Sequence, residues 1–226
     1  MKYLNLSAYG SLLLQFLTGV VESTGLYAKI PEKDKILQDI LTMEVIVQTI
    51  EFIFYLYLVY RIVNGDITKN ITSHRYLDWF ITTPAMLISF ILFFKYLKDP
   101  ERNIRFFESF NEERSNIIKV VIGNALMLLL GFLAETSVIN NYVGITLGFL
   151  PFAYIFKILY SEYAKHTVLA TQLFYAFFAI WGFYGVGAVL PFEQKNIAYN
   201  ILDLFSKNFY GLFLYFYIKN KEFSLQ

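Results

Sequence analysis

The sequence predicts an all-α membrane protein, a bundle of seven transmembrane helices with its N-terminus outside and its C-terminus in the cytoplasm. Three observations carry that reading. Hydrophobic side chains make up 57% of the 226 residues and charged ones only 16%, which is far from the balance of a soluble domain. The apolar residues are gathered into seven stretches, each near the ~20 residues a helix needs to cross a bilayer. The cations are sorted unequally between the two sides of those stretches.

The stretches run from Leu6 to Leu26, Leu37 to Ile62, Tyr76 to Tyr96, Ile117 to Glu135, Val138 to Tyr160, Thr167 to Leu190 and Asn196 to Ile218. The first lacks a charged leader and a small-residue cleavage site, and it holds Gln15 and Glu22, so it reads as a retained helix. The second carries Glu44, Gln48, Glu51 and Tyr55, and the third contains RYLDWFITTP. Before the fourth lies KDPERNIRFFESFNEERSN, which keeps Ile104, Phe106, Phe107 and Phe110. That segment fits either a short amphipathic helix on the inner membrane surface or a solvated linker. The fifth and sixth have no polar stripe in their middle thirds, and the seventh holds Asp203 and Lys207. Seven spans use nearly the whole length. Residues 1–226 therefore read as one membrane domain, with no room for an enzyme module.

With the N-terminus outside, the outer segments carry five cations, Lys2, Arg61, Lys69, Arg75 and Lys195, and the inner ones thirteen, from Lys29 to Lys221. Cys is absent, which excludes disulfides and thiolate chemistry. A net charge of +1 without a basic cluster gives no reason to expect nucleic acid. His74 and His166 are too isolated for a metal site. The sequons Asn5-Leu-Ser7 and Asn70-Ile-Thr72 both fall on the outer side.

The charges inside the spans are the informative residues, because an ionisable group in hydrocarbon needs a partner. Lys207 is about halfway along the seventh span, ~16 Å from either end at 1.5 Å per residue, too deep to reach the headgroups. Asp203 lies one turn earlier on the same face. The two fit a structural ion pair that locks the helix to its neighbours. They also fit a covalent attachment point, since a buried lysine amine forms a Schiff base with an aldehyde and its protonated form needs a carboxylate. On the third span Arg75, Asp78 and Thr82 share a face beside Trp79. A protonated Schiff base with Arg75, Asp78 and Asp203 would sum to zero charge.

Arg75-Tyr76-x-Asp78-Trp79-x-x-Thr82-Thr83-Pro84 on the third helix, Trp181-x-x-Tyr184 on the sixth and Asp203-x-x-x-Lys207 on the seventh resemble the microbial (type I) rhodopsins. The resemblance covers the whole chain. It implies all-trans retinal on Lys207, Asp78 and Asp203 as counterions, and Trp79 and Trp181 as rings enclosing the polyene, with Thr83 and Tyr184 in the same pocket. The chain's only two Trp residues are those two. Asn124 stands where the family often has an aspartate contacting the third-helix threonine, here Thr83. On the sixth helix the usual Pro after the Tyr is Gly185, a departure from the pattern.

A light-driven proton pump of that family needs a donor eleven residues after Asp78, where this chain has Ser89, and usually an outer glutamate where it has Lys195. Efficient proton pumping is not expected. Instead there are polar stripes: Ser7, Ser11, Gln15, Thr18 and Glu22 on the first helix, Glu44, Gln48, Glu51 and Tyr55 on the second, and Asn196, Asn200, Asp203 and Lys207 on the seventh. In the family's ring these three helices are neighbours. A shared seam of this kind suits a wet path for cations, or interhelical hydrogen bonding alone. The order expected from outside is Lys195, Asn196, Asn200 and Ser11, then Gln15, Glu51 and Asp203 beside the Schiff base, then Glu44 and Glu22.

Together with Asn208 these features are similar to the first group of viral rhodopsins, carried by giant viruses of algae, with a channelrhodopsin-like glutamate-bearing second helix. That similarity implies a light-gated channel for monovalent cations or protons, opened by retinal isomerisation at Lys207, in a host-cell plasma or internal membrane. A sensory rhodopsin and a weak light-driven pump are the alternatives. No transducer is evident in the sequence, and a homo-oligomer is compatible with it.

Overall fold

Polar backbone groups in hydrocarbon must be satisfied within their own segment, so a chain this apolar has helices as its economical solution. The computed structural model describes residues 1–66 and 70–224, and within them all regular structure is helical. Lys69, counted above among the outer cations, lies outside the described residues. The helices are α1 (Lys2–Thr24), α2 (Lys35–Val63), α3 (Ile71–Lys98), α4 (Phe106–Glu135), α5 (Asn141–Ile158), α6 (Val168–Ala188), α7 (Phe192–Asp203) and α8 (Phe209–Phe223). Consecutive helices pack side by side, α7 returns to α1, and α8 packs on α1 and α2, which closes a ring.

The polarity of the ring is that of a membrane protein. Leu13, Ile53, Leu77, Ile81, Leu150 and Phe183 face outward, whereas Glu44, Glu51, Arg75, Asp78, Asp203 and Lys207 are buried. An aromatic core fills the half of the bundle toward the C-terminus, with Phe90 stacked on Tyr210 at 4.4 Å and edge-on to Phe177 at 4.0 Å. Among the described residues, six helices are long and apolar enough to span alone. The seventh span is α7 and α8 together, joined by a wide i→i+5 turn at Leu204–Asn208 that contains Lys207. Neither half would span alone, at 12 and 15 residues, and Asn196, Asn200, Asp203, Lys207 and Asn208 lower the segment's apolarity.

The polar segment between the third and fourth spans differs from both expectations. Only Asp99–Arg105 leaves the helical path, and residues 106–116 are the first turns of α4 itself. The cause is local. Arg105 donates twice to Asp39 at 2.8 and 2.7 Å, the Phe106 N–H adds a bond at 3.3 Å, and Lys95 pairs with Glu112 and Glu113 at 2.5 and 2.9 Å. These contacts fasten the start of α4 to α2 and α3.

Candidate functional site

Lys207 is 3% exposed, and three carboxylates surround its Nζ. It donates to Asp78 Oδ2 at 2.7 Å, and Glu51 Oε1 and Asp203 Oδ1 lie at 3.1 and 3.9 Å. Both carboxylates expected beside Lys207, Asp78 and Asp203, lie within ion-pair reach of it, and Glu51 stands nearer than Asp203. The wide turn breaks the usual i, i+4 stacking, and the nearer carboxylates come from α3 and α2. Asp203 serves Arg75 instead, whose Nη1 donates to Oδ2 at 3.1 Å.

Asp203 is held from three sides. Tyr55 donates to Oδ2 at 2.9 Å and Tyr184 to Oδ1 at 2.7 Å, while Tyr184 also meets Ser206 at 2.9 Å. Arg75, fully buried, donates through Nε to Asn196 Oδ1 at 3.2 Å and through Nη2 to Asn200 Oδ1. Its guanidinium also lies over the rings of Phe54, Tyr55 and Tyr199 at 5.4 to 5.8 Å. Arg75 thus turns from Asp78, with which it shares a face, to α7. Thr82 donates to the Asp78 backbone carbonyl at 2.9 Å and makes no bond to that carboxylate.

On the other side of Lys207 lies an apolar slot. Trp79, Met86, Phe152, Trp181 and Tyr184 line it, with Thr83, Ser206 and Lys207 as its polar atoms. Thr83 accepts from Asn124 at 2.8 Å and donates to the Trp79 carbonyl at 2.7 Å, which fixes the Trp79 turn of α3 to α4. Trp79 stands edge-on to Tyr184 and Tyr199 at 5.4 and 5.1 Å. Sequence reasoning missed Tyr199 and Ser206 and gave Tyr55 no role at the lysine. Tyr55 and Tyr199 sit four residues from Glu51 and Asp203, a spacing that could have found them.

The polar faces of α1, α2 and α7–α8 meet in one seam. Ser11 donates to the Asn200 carbonyl at 3.1 Å, Asn200 Nδ2 to Ser7 at 2.8 Å, Gln48 Nε2 to Gln15 Oε1 at 2.5 Å and Asn208 Nδ2 to Thr18 at 2.6 Å. Glu44 and Glu22 are buried farther toward the C-terminal end, Glu22 against Gly211. Two expected members face elsewhere. Lys195 pairs with Glu135 at the end of α4, 2.8 Å away, because it sits one residue, or ~100°, off the Asn196 face. Asn196 turns to α3, donating to Thr72 at 2.9 Å and accepting from Arg75.

A seven-pass membrane bundle whose last span presents a buried, carboxylate-ringed lysine to an aromatic slot belongs to the class built to hold an apolar, amine-reactive ligand inside its helices. The chain belongs to the family described as bacteriorhodopsin-like proteins, which matches residues 10–221. Its fold is similar to the crystal structure of viral rhodopsin OLPVRII, with a TM-score of 0.84 and 29% identity over 96% of this chain and 98% of that one. It is also similar to the structure of xanthorhodopsin, a light-driven ion pump with dual chromophore, with a TM-score of 0.78 at 18% identity over 98% and 94% of the two chains. In sequence it is 23% identical over 193 residues to a green-light absorbing proteorhodopsin of Gamma-proteobacterium EBAC31A08, covering 77% of this chain and 72% of that protein.

The family implies a retinal chromophore, and the residues here fit it. The slot is apolar and aromatic, and a primary amine, that of Lys207, is among its lining groups. Asp78 Oδ1 and Glu51 Oε2 lack hydrogen-bond donors, so the lysine end has acceptors ready for a charged nitrogen.

Proposed function

We propose that the protein binds all-trans retinal on Lys207 and conducts cations when lit, through the seam between α1, α2 and the split seventh span. One observation carries this reading. Glu51 belongs to the seam through Gln48 and Glu44 on its own helix, yet its Oε1 lies 3.1 Å from Lys207 Nζ, so the light-sensing amine and the polar path share a residue. Retinal on Nζ supplies absorption of visible light and a change of shape at the lysine end.

The chain's own residues do the rest. In the dark, Asp78 and Glu51 hold the positive Nζ, the Gln15–Gln48 bond closes the middle of the seam, and Arg75 with Asn196 and Asn200 crosses its N-terminal end. Displacing Nζ, or moving its proton along the bond to Asp78 Oδ2, loosens Glu51 and with it the α2 face that carries Gln48. Carboxylates along the opened path attract cations and repel anions. In this reading residues 1–226 form one non-enzymatic domain in a lipid bilayer of a host-cell plasma or internal membrane. The N-terminus is outside, and monovalent cations or protons are carried. A light-driven pump is the second reading, favoured by Asp78, whose Oδ2 takes the bond from Nζ at 2.7 Å and stands as the nearest proton acceptor.

Light-evoked current recorded at several voltages separates these. A current that reverses with the cation gradient supports the channel, and a current of one sign at every voltage supports the pump. A correctly coloured protein with no current would sink both and leave a photosensor.

A further inference from the structure

Past the lysine, toward the end of the bundle that carries the C-terminus, three helices meet in two layers one turn apart. Thr18 and Glu22 of α1, Gln48 and Glu44 of α2, and Asn208 and Gly211 around the start of α8 are spaced by four, four and three residues, so each helix gives one residue to each layer. In the first layer Asn208 Nδ2 and Gln48 Nε2 both donate to Thr18 Oγ1, at 2.6 and 3.1 Å. With both amide nitrogens turned to that hydroxyl, Asn208 Oδ1 and Gln48 Oε1 are left in the seam with no donor. Asn208 is 1% exposed and Gln48 3%.

In the second layer both oxygens of Glu22 and Oε1 of Glu44 are likewise buried and unpartnered. Gly211 makes the room, since a Cβ there would fall on the Glu22 carboxyl. The unpartnered atoms of these two layers are acceptor oxygens, and a free donor, Gln15 Nε2, borders them on the amide whose Oε1 accepts from Gln48.

Charge points the same way. Five carboxylates are buried within the spans, Glu22, Glu44, Glu51, Asp78 and Asp203, against the two cations Arg75 and Lys207. Glu51, Asp78 and Asp203 already engage those cations. Glu22 and Glu44 are the pair with no fixed positive charge in contact, and a buried carboxyl lowers its cost by taking either a cation or a proton.

We propose that Glu22 and Glu44 bind a sodium-sized monovalent cation in the dark, with Asn208 Oδ1 and Gln48 Oε1 as carbonyl ligands on its other side. Hard cations take such oxygen sets, and a single positive charge brings the buried total of five carboxylates against two cations one step nearer balance. The inference rests on reading the seam as an ion path, and it makes this pair the place where a cation waits behind the closed Gln15–Gln48 contact.

The test is thermal unfolding of the unilluminated protein in sodium chloride against choline chloride, at equal ionic strength and pH. The wild type should gain in Tm with each tenfold rise in sodium and not with choline, and Glu22→Gln and Glu44→Gln should each lose that gain. Retinal uptake reports whether each variant folds. If neither folds, sodium NMR relaxation on the wild type decides, with line broadening reversed by excess potassium as the expected result. Equal response to both salts, or an infrared band of a protonated carboxyl that ignores sodium and vanishes in a folded Glu22→Gln, would overturn the proposal in favour of stored protons. A sodium effect without light-evoked current would keep the site and sink the channel, and current without a sodium effect would do the reverse.

Discussion

Glu51 stands 3.1 Å from the ammonium of Lys207, nearer than Asp203, which is only four residues from that lysine in the chain and yet 3.9 Å away. The carboxylate that faces the lysine from α2 therefore acts on the charge of Nζ as well as lining the seam. Replacing it as Glu51→Gln removes a negative charge beside the chromophore nitrogen. We expect the absorption band to move to longer wavelength, because a nearby anion stabilises the dark charge distribution more than the excited one. Light-evoked cation current should fall about tenfold, equivalent to ~1.4 kcal/mol. An unshifted spectrum would show that Glu51 does not sense Nζ in the pigment.

Lys207→Ala should abolish colour and also destabilise the apoprotein, because Glu51 and Asp78 lose their cation. The expected cost is about 3–5 kcal/mol, less whatever is recovered when one carboxyl takes a proton. Lys207→Arg keeps the charge and loses the colour. Denaturation of the two apoproteins beside wild type separates the electrostatic role from the chemical one, and equal stability of all three would contradict it.

Asn124→Ala leaves the Thr83 hydroxyl without its donor from α4 at 2.8 Å. A loss of about 1 kcal/mol is expected, together with faster loss of retinal from the slot, since Thr83 in turn holds the Trp79 carbonyl. Asn124→Asp offers no amide donor and tests the bond directly.

Gly211→Ala places a methyl group on the Glu22 carboxyl. Overpacking of this kind costs about 1–3 kcal/mol. The Tm should drop in the dark and in the light alike, and a neutral result would mean that Glu22 has room to turn aside.

At the start of α4, outside the membrane, bonds from Arg102 and Lys95 hold the Glu112 carboxyl down at about 2, below its ordinary 4.5. The carboxyl is depressed in the folded state, so its contribution is fully present above about pH 4.5 and is lost as pH falls through about 2. The pair is at the surface and the effect is small. Hydrogen exchange in residues 106–116 should quicken over that window in wild type, whereas Glu112→Gln should exchange fast throughout.

Much of this molecule is legible in its sequence because membrane burial inverts the usual statistics. A lysine, an arginine and two aspartates inside apolar runs have few explanations, and hydrocarbon length fixes the spans to within a few residues. Pair geometry was less legible. Asp203 and Lys207 read as stacked partners only if the helix is regular, and nothing in LDLFSKN announces the wide turn. Lys195 reads as the outer end of the seam, where the family usually has a glutamate, and only the position of Glu135, sixty residues earlier in the chain, shows where it turns. The first turns of α4 escaped because their support is an ion-pair set contributed by α2 and α3, a long-range cause with no local signature.

The wide turn at Leu204–Asn208 has a consequence for the phase of the last span. One residue beyond the α-helical repeat advances everything after it by about 100°. Numbering by fours from Asn196 through Asn200 therefore ceases to describe a single stripe at Lys207, and the groups of α8 that meet α1 and α2, from Asn208 to Gly211, obey a different register from those of α7. The lysine sits at the seam between two clocks. Deleting Phe205 would synchronise them and swing Asn208 and Gly211 away from α1, while leaving the composition of the span almost untouched.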